Sequence, residues 1–169
     1  MSDTLLRAVG IHKSFAGVHA LKGVSLEIAP GEIHCLAGEN GCGKSTLIKI
    51  ISGVYQPDAG YIEFDGKRLD KITPIDAILL GIQVIYQDFS VFPNLTVMEN
   101  LALNSELSNK RKVVNWKRMR QIAEDAVAKI NFQVDLDALV GTLSVAQKQM
   151  VAISRALMFN ARLIIMDEP

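Results

Sequence analysis

Eight consecutive residues, Gly38-Glu39-Asn40-Gly41-Cys42-Gly43-Lys44-Ser45, combine the types needed to hold phosphate. Glycines let the backbone turn tightly, so that successive N–H groups can point at phosphate oxygens. Lys44 has the reach and charge for the β- and γ-phosphates, and the Ser45 hydroxyl can ligate Mg²⁺. Thr46 follows as the next position of the cradle. An apolar stretch, Ile33 to Gly38, precedes the loop and reads as a short buried strand. The run KSTLIKIIS after Gly43 reads as a helix whose N-terminal dipole favours an anion. Strand, glycine loop and helix together imply a site for a nucleotide with its metal.

Such a site needs a carboxylate for the metal and a group to activate water. Leu163-Ile-Ile-Met166-Asp167-Glu168 supplies both at the end of an apolar strand expected to be buried. Asp167 would hold Mg²⁺ through water, and Glu168 is placed to polarise an attacking water. Alone this is a strand ending in an acidic turn; beside the glycine loop it completes a hydrolytic set.

The elements that must position these groups follow from pattern. Leu5 to Ile28 suits short strands, with Val24, Leu26 and Ile28 alternating. Asp65-Gly66 marks a hairpin turn, Pro74 to Leu80 a short helix, and IQVIY a strand. Thr96 and Glu99 have capping-box spacing at the start of a helix. Trp116 to Ile130 is helical with Met119, Ile122, Ala126 and Ile130 on one face, and Ser144 to Met158 is another helix. In the latter, the stripe Met150, Ile153 and Leu157 reads as packing. Leu47, Ile48, Ile50 and Ile51 suit burial of the helix after the loop, and Gly53 ends it. Strands alternating with helices predict an α/β domain with a mostly parallel core sheet and antiparallel N-terminal strands.

The chain has 169 residues, enough for one domain that buries about 70% of its unfolded surface. Eighteen basic residues balance eighteen acidic ones, which argues against a generally basic nucleic-acid binder. Two cysteines cannot build a disulfide framework, so the composition reads as cytosolic. The first ten residues show no leader pattern, and no apolar run reaches the ~18 residues of a membrane span. Pro169 closes an apolar strand-like run, whereas domains usually finish in exposed polar chain. The sequence therefore reads as cut.

Taken in order, these residues resemble the nucleotide-binding cassette of ABC transporters. The resemblance implies a P-loop NTPase fold with a helical subdomain over about 88–158, ATP and Mg²⁺ as ligands, and a second cassette as partner. Phe15, in HKSFAGVHAL, matches the aromatic that stacks on adenine in that family; as a bare residue it reads as a core aromatic. Gln87, in VIYQD, matches the glutamine that senses Mg²⁺ and couples to the membrane subunits; without the resemblance it is a solvated loop residue. Leu143-Ser144-Val145-Ala146-Gln147 corresponds to a signature usually written Leu-Ser-Gly-Gly-Gln, which contacts a partner cassette's nucleotide through Ser144 and Gln147. Those two residues also form a plain capping box.

The stretches GENGCGKSTLIKIISGVYQPDAG, FPNLTVMENLAL and LSVAQKQMVAISRALM resemble the first cassette of tandem-cassette monosaccharide importers. That implies membrane permease subunits, a periplasmic sugar-binding protein, no nucleic acid, and a place on the cytoplasmic face of the bacterial inner membrane. The alternative is a shortened, catalytically inactive cassette that at most binds nucleotide, since a D-loop and switch histidine would lie beyond Pro169. His12, His19 and His34 all precede the loop and show no metal-ligand spacing, so they read as surface or packing residues. Cys42, inside the loop, is a small residue at a variable position or a thiol whose alkylation blocks ATP. Cys35 is expected in the core. Lys110, Arg111, Lys112, Lys117, Arg118 and Arg120 read as a solvated helix face rather than a nucleic-acid patch.

Overall fold

Apolar alternation near the N-terminus builds a long hairpin, β1 (Leu6–Phe15) and β2 (Val18–Ile28), joined through Ala16 and Gly17 at φ 43° and 87°. Paired positive φ values match the right-handed twist of the flanking strands. Leu6 and Ala8 face inward from even positions, yet the next fully buried residue is Ile11. A register shift between Ala8 and Ile11, with Gly10 at φ 57°, absorbs the extra residue and restores the inward face. The computed structural model describes residues 4–86, 91–108, 114–158 and 160–167.

Strand β3 (Ala59–Phe64) pairs antiparallel with β1, placing Phe64 opposite Leu6 and Ile62 opposite Ala8. All four side chains are buried, each large one worth roughly 2 kcal/mol. Asp65 and Gly66, again both at positive φ, turn the chain into β4 (Lys67–Leu69), as the Asp-Gly pair predicts. The sheet order is β2-β1-β3-β4. Helix α1 (Lys44–Ile51) buries Leu47, Ile48, Ile50 and Ile51, and Gly53 at φ 77° follows its end. Helix α2 (Pro74–Leu80) starts on a Thr73–Asp76 capping box and ends at Gly81.

The chain divides into two compact units, Met1–Ile82 and Gln83–Pro169, the division falling inside β5 (Ile82–Ile85). In the second unit, α3 (Val97–Ser108), α4 (Trp116–Ala128) and α5 (Val145–Met158) surround one core. Val97, Leu101, Met119, Ala123, Ala126, Val140 and Val151 form its centre. Strand β6 (Leu163–Met166) pairs with β5. Thr96 caps α3 as expected: its N–H donates to Glu99 Oε2 at 2.7 Å and Glu99 N–H returns to Thr96 Oγ1 at 3.2 Å.

Three expectations need correction. Ile33 to Gly38 belongs to neither sheet, and Ile33 is 98% exposed. A strand is buried only between neighbours that satisfy its amides, and no strand among the described residues pairs with this stretch. For the same reason Cys35 is exposed rather than in the core. Among the described residues strand β6 has only β5 beside it; Leu163, Ile164 and Ile165 are half-buried and Met166 is exposed. In α5, Val151, Ala152, Ser154 and Ala156 are buried, while Met150, Ile153 and Leu157 lie half-buried at their margins, Ile153 packing against Ile85, Ala152 and Ala156. The basic residues Lys110, Arg111 and Lys112 lie outside the described residues, while Lys117, Arg118 and Arg120 are exposed, Arg120 gripping Asp137 through 2.7 and 2.8 Å contacts.

Candidate functional site

The glycine loop leaves the exposed stretch at Gly38 and enters α1 at Gly43. Gly41 and Gly43 adopt φ 83° and 101°, values that glycine reaches without strain. A Cβ on Gly43 would stand 2.6 Å from the Ala20 carbonyl oxygen and 2.8 Å from Leu21 Cδ2, so the loop is pressed against β2. Gly38 differs: a Cβ there would meet only Cys42 Sγ, at 2.6 Å. No side chain caps the start of α1, and no acidic residue sits in its first turn. An electropositive helix end with no capping side chain and no acid in its first turn suits an external anion.

Lys44 bends back into the loop. Its Nζ donates to Gly38 O at 2.7 Å and Glu39 O at 2.9 Å, with Cys42 Sγ at 3.8 Å. Three donors on one ammonium are thus held by neutral acceptors that phosphate oxygens can replace with stronger, charge-assisted ones. Asn40, Cys42 and Ser45 are exposed, and Thr46 is half-buried. The loop can accept a phosphate chain, and the Ser45 hydroxyl has the chemistry for Mg²⁺.

Phe15 stands at the tip of β1, 39% exposed, which sets aside the core reading of this ring. Its supports escaped the sequence reading. Tyr55 meets it in a T-shaped contact at 5.2 Å, and Lys13 Nζ lies 5.5 Å from its centroid. Asp58 accepts from Lys13 Nζ at 2.8 Å and from Ser14 N–H at 2.7 Å. These contacts, the Lys13 hydrogen bond foremost, hold the Asp58 carboxyl below its usual range. The available signal was an aromatic and an acid flanking Pro57 just after the helix stop.

In the second unit, Ser144 and Gln147 form the capping box their spacing predicts. Ser144 N–H donates to Gln147 Oε1 at 3.0 Å and Gln147 N–H to Ser144 Oγ at 3.3 Å. Val145, the first residue after this cap, is 67% exposed. The segment leading into this cap is bonded to the loop that starts α3. Val97 N–H donates to Ala138 O, Met98 N–H to Leu136 O, Val140 N–H to Leu95 O and Gly141 N–H to Pro93 O, at 2.8–3.0 Å. Asn100, 3% exposed, secures that loop from inside, accepting from Phe92 N–H at 2.7 Å and donating to Phe92 O at 2.9 Å. Nothing in the local sequence singles this asparagine out; its burial among Val97, Met98 and Leu101 is seen only in the fold. Asp167 follows β6, and its N–H donates to Ile85 O at 3.0 Å. Gln87 and Glu168 lie outside the described residues.

The profile of the ABC transporter family matches residues 21–169. The chain belongs to the ABC transporter family. A ribose import ATP-binding protein of Burkholderia cenocepacia (strain HI2424) is 50% identical over 167 residues, covering 99% of this chain and 33% of that protein. The D-allose import ATP-binding protein of Escherichia coli (strain K12) is 44% identical over 172 residues, covering 100% of this chain and 34% of that protein. The chain therefore spans about a third of the length of these curated relatives. Among solved structures, an ATP-binding cassette of an ABC transporter in its ADP conformation matches at TM-score 0.84 and 32% identity, over 99% of this chain and 70% of that one. The cbiO1 protein of Clostridium perfringens, part of an ABC transporter complex, matches at TM-score 0.82 and 28% identity, over 99% and 66%. The α/β cassette class expected from the sequence is thereby borne out. No helix among the described residues is long and apolar enough to cross a membrane.

Proposed function

We propose that this chain is the ATP-binding part of a carbohydrate importer, a partial nucleotide-binding domain over residues 1–169 with a helical subdomain near 88–158. The observation that carries the reading is the Gly43–Lys44 loop, pressed on β2 and opening a helix that no side chain caps. The 44–50% identity to ribose and allose import ATP-binding proteins supports the sugar class.

In this reading Gly38, Asn40, Gly41, Cys42, Gly43 and Thr46 line the phosphate cradle and Lys44 neutralises the β- and γ-phosphates. Ser45, Asp167 and Gln87 would hold Mg²⁺, which when bound supplies neutralisation of phosphate charge. Glu168 polarises the attacking water, and Phe15 stacks on the base. Ser144 and Gln147 present a helix start to the nucleotide of a second cassette, an arrangement supported by relatives such as an ATP-binding cassette solved as a dimer bound to ADP and Pi. Permease subunits, and through them a periplasmic sugar-binding protein, complete the machine at the cytoplasmic face of the bacterial inner membrane.

Two measurements test this. Titration of the chain with Mg-ATP is expected to show binding that Lys44→Ala removes. In cells carrying the intact gene, uptake of labelled ribose or allose is expected to stop with Lys44→Ala or Glu168→Gln. Binding that ignores Lys44→Ala would sink the site assignment; ATP binding with uptake of neither sugar altered would sink the transport class.

A further inference from the structure

Phe15 combines partial exposure with a dense set of supports. Asp58 fixes both the cation over the ring and the backbone that carries it, through Lys13 Nζ at 2.8 Å and Ser14 N–H at 2.7 Å. Tyr55 meets the ring at an interplanar angle of 62°. Tyr55 is itself fixed to α1, its N–H donating to Lys49 O at 3.0 Å while Lys49 Nζ lies 5.6 Å over its ring. Asp58 N–H is tied to His12 O at 2.8 Å, so the supporting loop is pinned to β1. A ring that is 39% exposed thus has its position set by two separate elements.

The hairpin relates this ring to the phosphate loop. Phe15 pairs with Val18, and two residues further along β2 the Ala20 carbonyl lies against Gly43. At strand spacings that separation is on the order of 8 Å. It is the reach of a sugar between a base and its phosphates.

We propose that Tyr55 and Asp58 are positioning residues for a nucleobase stacked on Phe15, forming a base-tolerant platform that favours nucleotides over bare polyphosphate. The proposal rests on the nucleotide-site reading above. Stacking engages the π-face that every base presents, so it separates a nucleotide from a phosphate chain and leaves ATP and GTP nearly equal.

The test is calorimetric titration of the full chain and its variants with Mg-ATP, Mg-GTP and inorganic tripolyphosphate. Tyr55→Ala is expected to weaken ATP and GTP alike, by about three- to tenfold, the worth of an edge-to-face pair. Tripolyphosphate affinity should stay unchanged, and Tyr55→Phe should keep the nucleotide affinity of the parent. Asp58→Asn should weaken both nucleotides in the same sense. Equal loss for tripolyphosphate, or no loss for ATP, would overturn the positioning role, and a loss confined to ATP would overturn base tolerance. If the parent chain binds tripolyphosphate as tightly as ATP, the platform falls and the phosphate site stands. If it binds none of the three, the nucleotide-site reading falls with it.

Discussion

Two helix starts in this molecule solve one problem in opposite ways. Every helix begins with amides that lack an intrahelical acceptor. At α5 the chain supplies the acceptor itself: Ser144 Oγ takes the Gln147 amide and Gln147 Oε1 returns to Ser144 N–H. At α1 the capping position is Gly43, in a left-handed conformation and with no side chain to serve as a cap. The first arrangement secures the helix from within; the second leaves the positive end for something arriving from outside. The same contrast holds for α3, where Thr96 caps and the Val97 and Met98 amides reach Ala138 and Leu136 carbonyls. An uncapped helix start keeps its amides available to an anion, which is what the proposed phosphate site needs at α1.

The contrast breaks most severely at Gly43. Gly43→Ala forces a left-handed backbone and a Cβ onto the Ala20 carbonyl, so we expect a loss of at least about 2 kcal/mol by urea unfolding and no measurable nucleotide binding. Gly38→Ala meets only the Cys42 thiol and should cost far less in the same measurements. Next comes Lys44→Ala. Its partners are its own loop carbonyls, so ATP affinity should fall at least about tenfold while stability stays within about 0.5 kcal/mol of the parent. Ser144→Ala should do the reverse, costing about 1 kcal/mol in unfolding with ATP affinity intact in the monomeric chain. The smallest effect concerns acid. The folded Asp58 carboxyl lies below its ordinary value, chiefly through its hydrogen bond from Lys13, so its support is full above the ordinary carboxylate range. As pH falls through the lower folded value that support is lost. Nucleotide preference over tripolyphosphate should decline across that window, and Asp58→Asn should be indifferent to it.

What could be read in advance was whatever local chemistry dictates. Asp65-Gly66, the Thr96–Glu99 and Ser144–Gln147 caps, and Pro74 at the start of α2 each settle their own conformation within four residues, and each appears as read. The glycine loop was legible for the same reason. Ile33 to Gly38 was not, because an apolar run states a preference for burial without supplying the neighbours that bury it. Phe15 needed the fold to place Tyr55 and Asp58 beside it, partners that lie forty or more positions along the chain. Asn100 was equally silent, since its four acceptor and donor contacts close a loop rather than follow a period.

The rungs joining 93–98 to 136–141 tie these two stretches into one ladder. Gly141 has no room for a side chain, a Cβ there standing 2.9 Å from Pro93 O. The amides of Val97, Met98, Val140 and Gly141 all donate across this ladder. Ser144 follows Gly141 by three residues, so the cap of α5 stands at the end of a stretch anchored to the start of α3.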